Sequence, residues 1–235
     1  QAVYDGQAVV ENMTCRRCRS IDDLSTVWGR QEIPLLVDPE GKSIQMLQPW
    51  GVVDAILAKK NLGTNRDMAR HTVALGPGFT AGRDVDAVIE TKRGHRLGRI
   101  IREGTAAANT GIPGIIAGYG KERVIHSDVA GFVYGLVRIG DRVKKGQPMA
   151  VLTDVPIPDG MAITEAMGIP VPASLTGLVR GLIRDGYYAP KGFKIADIDP
   201  REHEYHNCFT ISDKARSLGG AVLTALLWLG RDDLF

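Results

Sequence analysis

Residues 72–99 hold the densest set of side chains able to do chemistry. Glu90, Arg93, His95 and Arg99 fall on one short segment just after an apolar run, Ala87 to Ile89. Two arginines and a histidine can clamp an anionic group through paired N–H donors. Glu90 can orient them or act as a base, and His95 is the other local candidate for proton transfer. Upstream, Gly76-Pro77-Gly78-Phe79-Thr80-Ala81-Gly82 follows a second apolar run, Val73 to Leu75. Gly76, Gly78 and Gly82 free the backbone for turns and close approach, and backbone amides with the Thr80 hydroxyl can face a phosphate. The loop is neither a Walker A sequence nor a full Gly-x-Gly-x-x-Gly fingerprint. A tight structural turn explains the same glycines, and a surface ion-pair cluster explains the same charges.

A third candidate lies further upstream. Asp54 interrupts the apolar run Val52 to Leu57, and an ionised carboxylate inside such a run is costly unless it is paired or used. Lys59 or Lys60 can supply the pairing charge, with Asn61 and Thr64 as hydrogen-bonding neighbours. Together, Asp54, Lys59, Asn61, Gly76, Gly78, Thr80, Gly82, Arg93 and Arg99 form the candidate binding set. Glu90 and His95 form the candidate catalytic pair.

Two other groupings carry less. Cys15-Arg16-Arg17-Cys18 invites a redox or zinc reading, since neighbouring arginines favour the thiolate, and His203, His206 and Cys208 can complete a ligand set. The second group lacks a usual zinc spacing, so incidental thiols are the favoured reading and no metal is assigned. Asp197 and Asp199 share one face of a strand end. They can bind a cation or hold Arg201, and Lys214 is placed to approach the same region.

The elements that position these groups follow from the apolar pattern. Ala8 to Val10, Leu35 to Val37, Val52 to Leu57, Val73 to Leu75 and Ala87 to Ile89 read as strands. Val52 to Leu57, a continuous run, suits a central strand buried on both faces. Alternation with helices predicts a mainly parallel, Rossmann-like sheet, whose strand ends are where open α/β sheets place a site. At the other end, Asp213 can cap a helix over 214–229 with Leu218, Val222, Leu223 and Leu226 on one apolar face. Gly219-Gly220 weakens that helix or permits close packing against a sheet.

The stretch 72–99 resembles the signature of the YqeB-type accessory proteins associated with selenium-dependent molybdenum hydroxylases. The resemblance takes in Val53-Asp54-Ala55-Ile56-Leu57-Ala58-Lys59-Lys60-Asn61-Leu62-Gly63-Thr64, Gly192 to Arg201 and Ile211 to Ala215. It implies a role in maturing those enzymes, with the hydroxylase apo-enzyme as partner. A glycine-rich strand–turn–helix that family members carry earlier in the chain is absent before Ala2-Val3-Tyr4-Asp5-Gly6, an expectation drawn from the resemblance alone.

From about Gly104, glycine, proline and short β-branched runs replace the helical texture. Gly131-Phe-Val-Tyr-Gly-Leu-Val-Arg-Ile-Gly140 matches Gly177-Leu-Val-Arg-Gly-Leu-Ile-Arg-Asp-Gly186 at a constant offset, which implies two copies of one hairpin unit, 131–152 and 177–198. Gly140 to Met149 also resembles the repeated half of biotinyl and lipoyl carrier domains, a barrel-sandwich hybrid. Gly168 stands where such a carrier needs its modified lysine, so a scaffold is the better reading. The expected organisation is a Rossmann-like α/β domain over 1–103, a β-rich barrel-sandwich-hybrid domain over 104–202, and a C-terminal helix within 203–235 returning to the first.

A hydrophobic content of 44% and a charged content of 24% suit a globular chain able to bury a core. A net charge of +2 gives no push toward nucleic acid. The longest apolar stretch, Ala221 to Leu229, is too short for a membrane span. Three cysteines, an odd number, argue against a secreted disulfide framework. The expectation is a cytoplasmic protein that binds an anionic, phosphate-bearing small molecule, either a molybdopterin-type cofactor or a nucleotide. An enzyme activating a nucleotide or selenium species, and a non-catalytic docking protein for the apo-hydroxylase, are the competing readings. Self-association is left open.

Overall fold

Along the runs Val73 to Leu75 and Ala87 to Ile89, successive apolar residues point to opposite faces, and two separate cores result. In a computed structural model, which describes residues 1–111 and 114–233, β1 (Gln7–Val10), β2 (Met13–Arg17) and β3 (Ile33–Leu35) make a small sheet in that order. It is accompanied by α1 (Ala2–Asp5), α2 (Leu24–Gly29) and α3 (Lys42–Leu47). A four-stranded sheet follows, built from β4 (Gly51–Asp54), β5 (His71–Leu75), β7 (Ala87–Ile89) and β8 (Ile100–Ile101), in that order. The first three strands run parallel and β8 antiparallel. Short strands β6 (Thr80–Ala81) and β9 (Gly104–Thr105) pair beside it.

Val73, Leu75, Ala87 and Ile89 pack against Leu218 and Ala225 of α4 (Asp213–Leu229). On the other face Ala74 and Val88 pack with Phe79, Ala81, Val85 and Ala106. Residues 1–110 and 211–235 form one compact unit, and 111–210 a second. The molecule is thus a mixed α/β protein with several sheets and few helices, and among the described residues no helix is long and apolar enough to cross a membrane.

Several expectations change here. The run from Val52 to Leu57 is not a central strand. It ends at Asp54 and lies at the sheet edge, with Ile56 and Leu57 exposed, because the Asp54 carboxylate turns the chain outward by accepting from the Ile56 amide (3.0 Å). Parallel β2 and β3 are joined through α2, but in the four-stranded sheet the connections between parallel strands carry no α-helix among the described residues. Left-handed backbone at Leu57, Lys59 and Gly63, and the glycine-rich 76–82, prevent one. The cap of α4 is Ser212, whose Oγ accepts from the Ala215 amide at 3.1 Å, leaving Asp213 in the first turn. Leu223 is exposed, and Ala221 and Ala225 complete the buried face instead. A side chain at Gly219 or Gly220 would meet nothing, so neither glycine serves close packing.

In the second unit, β10 (Val124–His126), β11 (Gly131–Gly135), β12 (Arg142–Val143) and β13 (Pro148–Thr153) are answered by β14 (Ile169–Pro172), β15 (Gly177–Leu182), β16 (Tyr187–Ala189) and β17 (Lys194–Asp199). Two antiparallel sheets result, ordered β14-β13-β11-β16 and β10-β17-β15-β12. Their registers are reciprocal. Gly131 pairs with Ala189 as Gly177 pairs with Val143, and Ile125 pairs with Ala196 as Val171 pairs with Ala150. The repeat therefore begins at Val124 and Pro170, before the glycine that marks it in the sequence. One core, including Val133, Met149, Val179, Ile195 and Ile198, lies within this unit.

The symmetry is imperfect at the paired glycines. A Cβ on Gly177 would lie 2.3 Å from the Asp199 carbonyl oxygen, whereas one on Gly131 would lie 3.0 Å from that of Thr153. Gly177→Ala should therefore lower the unfolding midpoint more than Gly131→Ala, by an extra ~1–3 kcal/mol as for overpacked cores. Denaturant titration of both variants checks this, and an equal or reversed ranking contradicts it.

Candidate functional site

Parallel pairing sets the carboxyl ends of β4, β5 and β7 side by side, so the loops that leave them are neighbours. Gly78 makes the closest approach. A Cβ there would fall 2.6 Å from Lys60 Cα, and its φ of +110° is one that side chains rarely adopt. The glycine loop thus lies directly on the segment that carries Lys59. The loop after β7 meets the start of α4 in a similar way, since a Cβ on Gly98 would stand 2.8 Å from Ser217 Oγ. The outcome is one neighbourhood: Lys214, in the first turn of α4, feels the charges of Arg93, Glu90 and Lys59.

Glu90 is buried, and its carboxylate is held by two backbone donors, the amides of Lys92 and Ala107, each at 2.8 Å. It pins its own loop rather than orienting the arginines. Arg93 binds Asp213 through two bonds of 2.7 and 3.0 Å. Burial lowers the Lys214 pKa, the positive charge of Arg93 lowers it further, and Glu90 opposes both more strongly than Lys59 adds to them.

The other expected residues divide. Asp54 is buried and accepts from the Ile56 amide and, at 2.6 Å, from the Thr64 hydroxyl, so it organises its turn. Asn61 joins that turn, donating to the Thr64 carbonyl and accepting from the Gly63 amide, both at 2.8 Å. The Gly76 amide donates to Ile89, the Gly82 amide to Val85, and the Thr80 amide to Asp84. Gly78 is exposed, and its amide has no acceptor among the described residues. His95 and Arg99 are exposed, and among the described residues neither side chain makes a hydrogen bond or ion pair. The set brought together is therefore Lys59, Gly78, Glu90 and Arg93.

Lys214 is the member that reasoning on residues 72–99 missed. The signal was its place directly after the expected capping residue, Asp213, on a helix expected to return to the first domain. Charge completes the picture. Around Lys214 three groups are cationic (Lys59, Arg93 and, through Asp213, Arg216) and two anionic (Glu90 and Asp213). A positive surplus beside an open amide can hold an anion.

The remaining groupings are structural. Asp199, almost fully buried, is pushed up by burial, but bonds from Arg201 (2.7 and 3.0 Å) and Arg180 (3.0 Å) outweigh that and hold it at about 2. Asp197 binds Arg123 at 3.1 Å. Cys18 is packed with Leu24 and Val27, while burial raises the Cys208 thiol. No group of three or more His, Cys, Asp or Glu able to hold a metal occurs among the described residues. At Gly168 a Cβ would lie 2.3 Å from the Leu152 carbonyl oxygen, so that position has no room for any side chain, a carrier lysine included.

No protein-family model matches the chain. It is 48% identical over 229 residues, 97% of its length, to the uncharacterized protein YqeB of Escherichia coli (strain K12). That likeness spans 40% of the relative. Among solved structures, the product-bound ectoine utilization protein EutE (DoeB) of Ruegeria pomeroyi is 17% identical, covering 42% of this chain and 27% of its own, with a TM-score of 0.28. The succinylglutamate desuccinylase/aspartoacylase of Rhodobacter sphaeroides is 15% identical, covering 42% of this chain and 29% of its own, with a TM-score of 0.26. Both likenesses are too slight to bear on function.

The Arg93–Asp213 pair is half exposed, with side chains 50% and 65% accessible, so solvent screens it. Arg93 holds the Asp213 carboxyl well below the usual carboxylate range. A depressed carboxylate adds stability above its unfolded pKa and loses it as pH falls. A double-mutant cycle on Arg93→Ala and Asp213→Asn should give under about 1 kcal/mol at neutral pH. The coupling should shrink below about pH 4, where unfolded Asp takes up its proton. Coupling of several kcal/mol, or none of this pH dependence, contradicts the assignment.

Proposed function

We propose that the first unit binds an anionic, phosphate-bearing small molecule where β4, β5 and β7 end. The carrying observation is that Arg93, Glu90 and Lys59 all act on the charge of Lys214, while the Gly78 turn lies against the backbone of Lys60, next to Lys59. Lys59, Lys214 and Arg93 contribute positive charge. The N-terminal end of α4 adds its positive pole to the same place. A nucleotide or a molybdopterin-type cofactor has the chemistry this set recognises.

The wider role rests on resemblance. From the resemblance carried by residues 72–99 we propose an accessory function in maturing selenium-dependent molybdenum hydroxylases, in the cytoplasm, with the apo-hydroxylase as partner; the likeness to the uncharacterized protein YqeB supports the resemblance and not the role. In this reading the parallel strands belong to a Rossmann-like layer that holds the ligand. The reciprocal sheets of the second unit belong to a barrel-sandwich hybrid that serves as scaffold.

Isothermal titration with pyrophosphate and with ATP tests the ligand reading. Lys59→Ala combined with Lys214→Ala should weaken binding about tenfold or more, a loss near 1.4 kcal/mol. Lys144→Ala combined with Lys145→Ala, in the second unit, should leave it unchanged. Equal affinity in the first pair, with the fold intact by circular dichroism, rejects the site.

A further inference from the structure

A cavity of about 920 Å³ opens before the amino ends of β4 and β5, between α3 and residues 65–70, whereas the anion site lies at the opposite ends of the same strands. Trp50, the residue before β4, forms part of the cavity wall and is held from three sides. Its indole N–H donates to Asp233 at 3.0 Å, its ring meets His71 edge-on at 4.7 Å, and any side chain at Gly230 would strike it. The residue is nevertheless 40% exposed, which leaves open a fixed aromatic surface whose polar group is already satisfied. Gln45 and Gln48, at the end of α3, line the same cavity, and neither side chain makes a hydrogen bond among the described residues. Gln48 stands at φ +45°, the helix-ending position that glycine or asparagine usually fills, so a side-chain amide is kept there against the backbone preference. Of the charges on the wall, Arg70 is answered by Asp233 and Glu40 by Lys42. Asp67 is the lining carboxylate left without an ion pair among the described residues.

We propose that this cavity binds a guanine-type base, stacked on Trp50 and read by Asp67, Gln45 and Gln48. The volume suits a small molecule, and the mixed lining decides its class. A flat ring gains most from a fixed indole face. An unpaired carboxylate accepts hydrogen bonds only, so it selects a ligand that donates N–H groups and brings no negative charge of its own. A free carboxamide offers both a donor and an acceptor. Guanine answers this set: one edge carries a ring N–H beside an amino group, for Asp67, and the other a carbonyl oxygen beside a ring nitrogen, for the glutamines. Adenine sets a bare acceptor nitrogen where Asp67 needs a donor, and is rejected. Lys59, Arg93 and Lys214 take no part, so the inference stands independently of the anion-binding reading.

Isothermal titration of the full chain with guanosine and with adenosine, neither of which carries a phosphate, tests this. Guanosine should bind about tenfold more tightly than adenosine, the discrimination that one well-placed pair of base hydrogen bonds supplies. Asp67→Asn should weaken guanosine by a similar factor and close the gap between the two nucleosides. Gln45→Ala combined with Gln48→Ala should weaken guanosine severalfold. Both variants change exposed side chains that hold nothing else among the described residues, so the unfolding midpoint should not move. Saturating pyrophosphate should leave guanosine affinity as it was. No binding of guanosine, equal affinity for the two nucleosides, indifference to Asp67→Asn, or displacement of guanosine by pyrophosphate overturns the inference. Guanosine binding as described, with pyrophosphate failing to bind at all, supports this cavity and counts against the anion site alone.

Discussion

A carboxylate shut away at the end of β7 must be answered by hydrogen-bond donors and by positive charge, and Glu90 receives both. The amides of Lys92 and Ala107 bind its two oxygens and fix the course of the loop that follows. Because that loop is fixed, Arg93 reaches Asp213, and Gly98 lets the chain lie against Ser217. Lys214 is thereby set among charges rather than in open water. The cations outnumber the carboxylates around it, so the balance struck around Glu90 leaves a surplus available to something negative. The same buried acid is what keeps a lysine in so positive a neighbourhood.

Glycine does comparable work at the neighbouring strand end. The approach of Gly78 to Lys60 leaves no room for a Cβ, and it closes the gap between the loops after β4 and β5. Without that contact Lys59 would have no reason to lie near the end of β5. Asp54, Asn61 and Thr64 stiffen the same segment through their own turn. Residues that read as ligand-binding in the sequence thus act one step back, by holding the backbone on which the cations stand.

The buried strands were legible because β-branched and small apolar residues at Val73 to Leu75 and Ala87 to Ile89 alternate between two cores. The second unit was legible through glycines at a fixed offset, and its reciprocal ladders follow the same offset. What escaped was set by contacts distant in sequence. The outward turn at Asp54 depends on a side chain capping its own loop, and apolar content alone made Val52 to Leu57 look central. Lys214 lies 120 or more residues from its partners, and no local pattern announces that kind of meeting. His95 shows the reverse case: its neighbours in sequence suggested a clamp, but the Gly94 to Leu97 turn leaves it exposed.

Backbone amide shifts in a nuclear magnetic resonance titration with pyrophosphate would locate any bound anion without altering a residue. The account predicts that the largest changes fall together on Lys59, Gly78, Arg93 and Lys214. Changes centred elsewhere, on Lys144 and Lys145 for instance, or none at all with the protein folded, would contradict it.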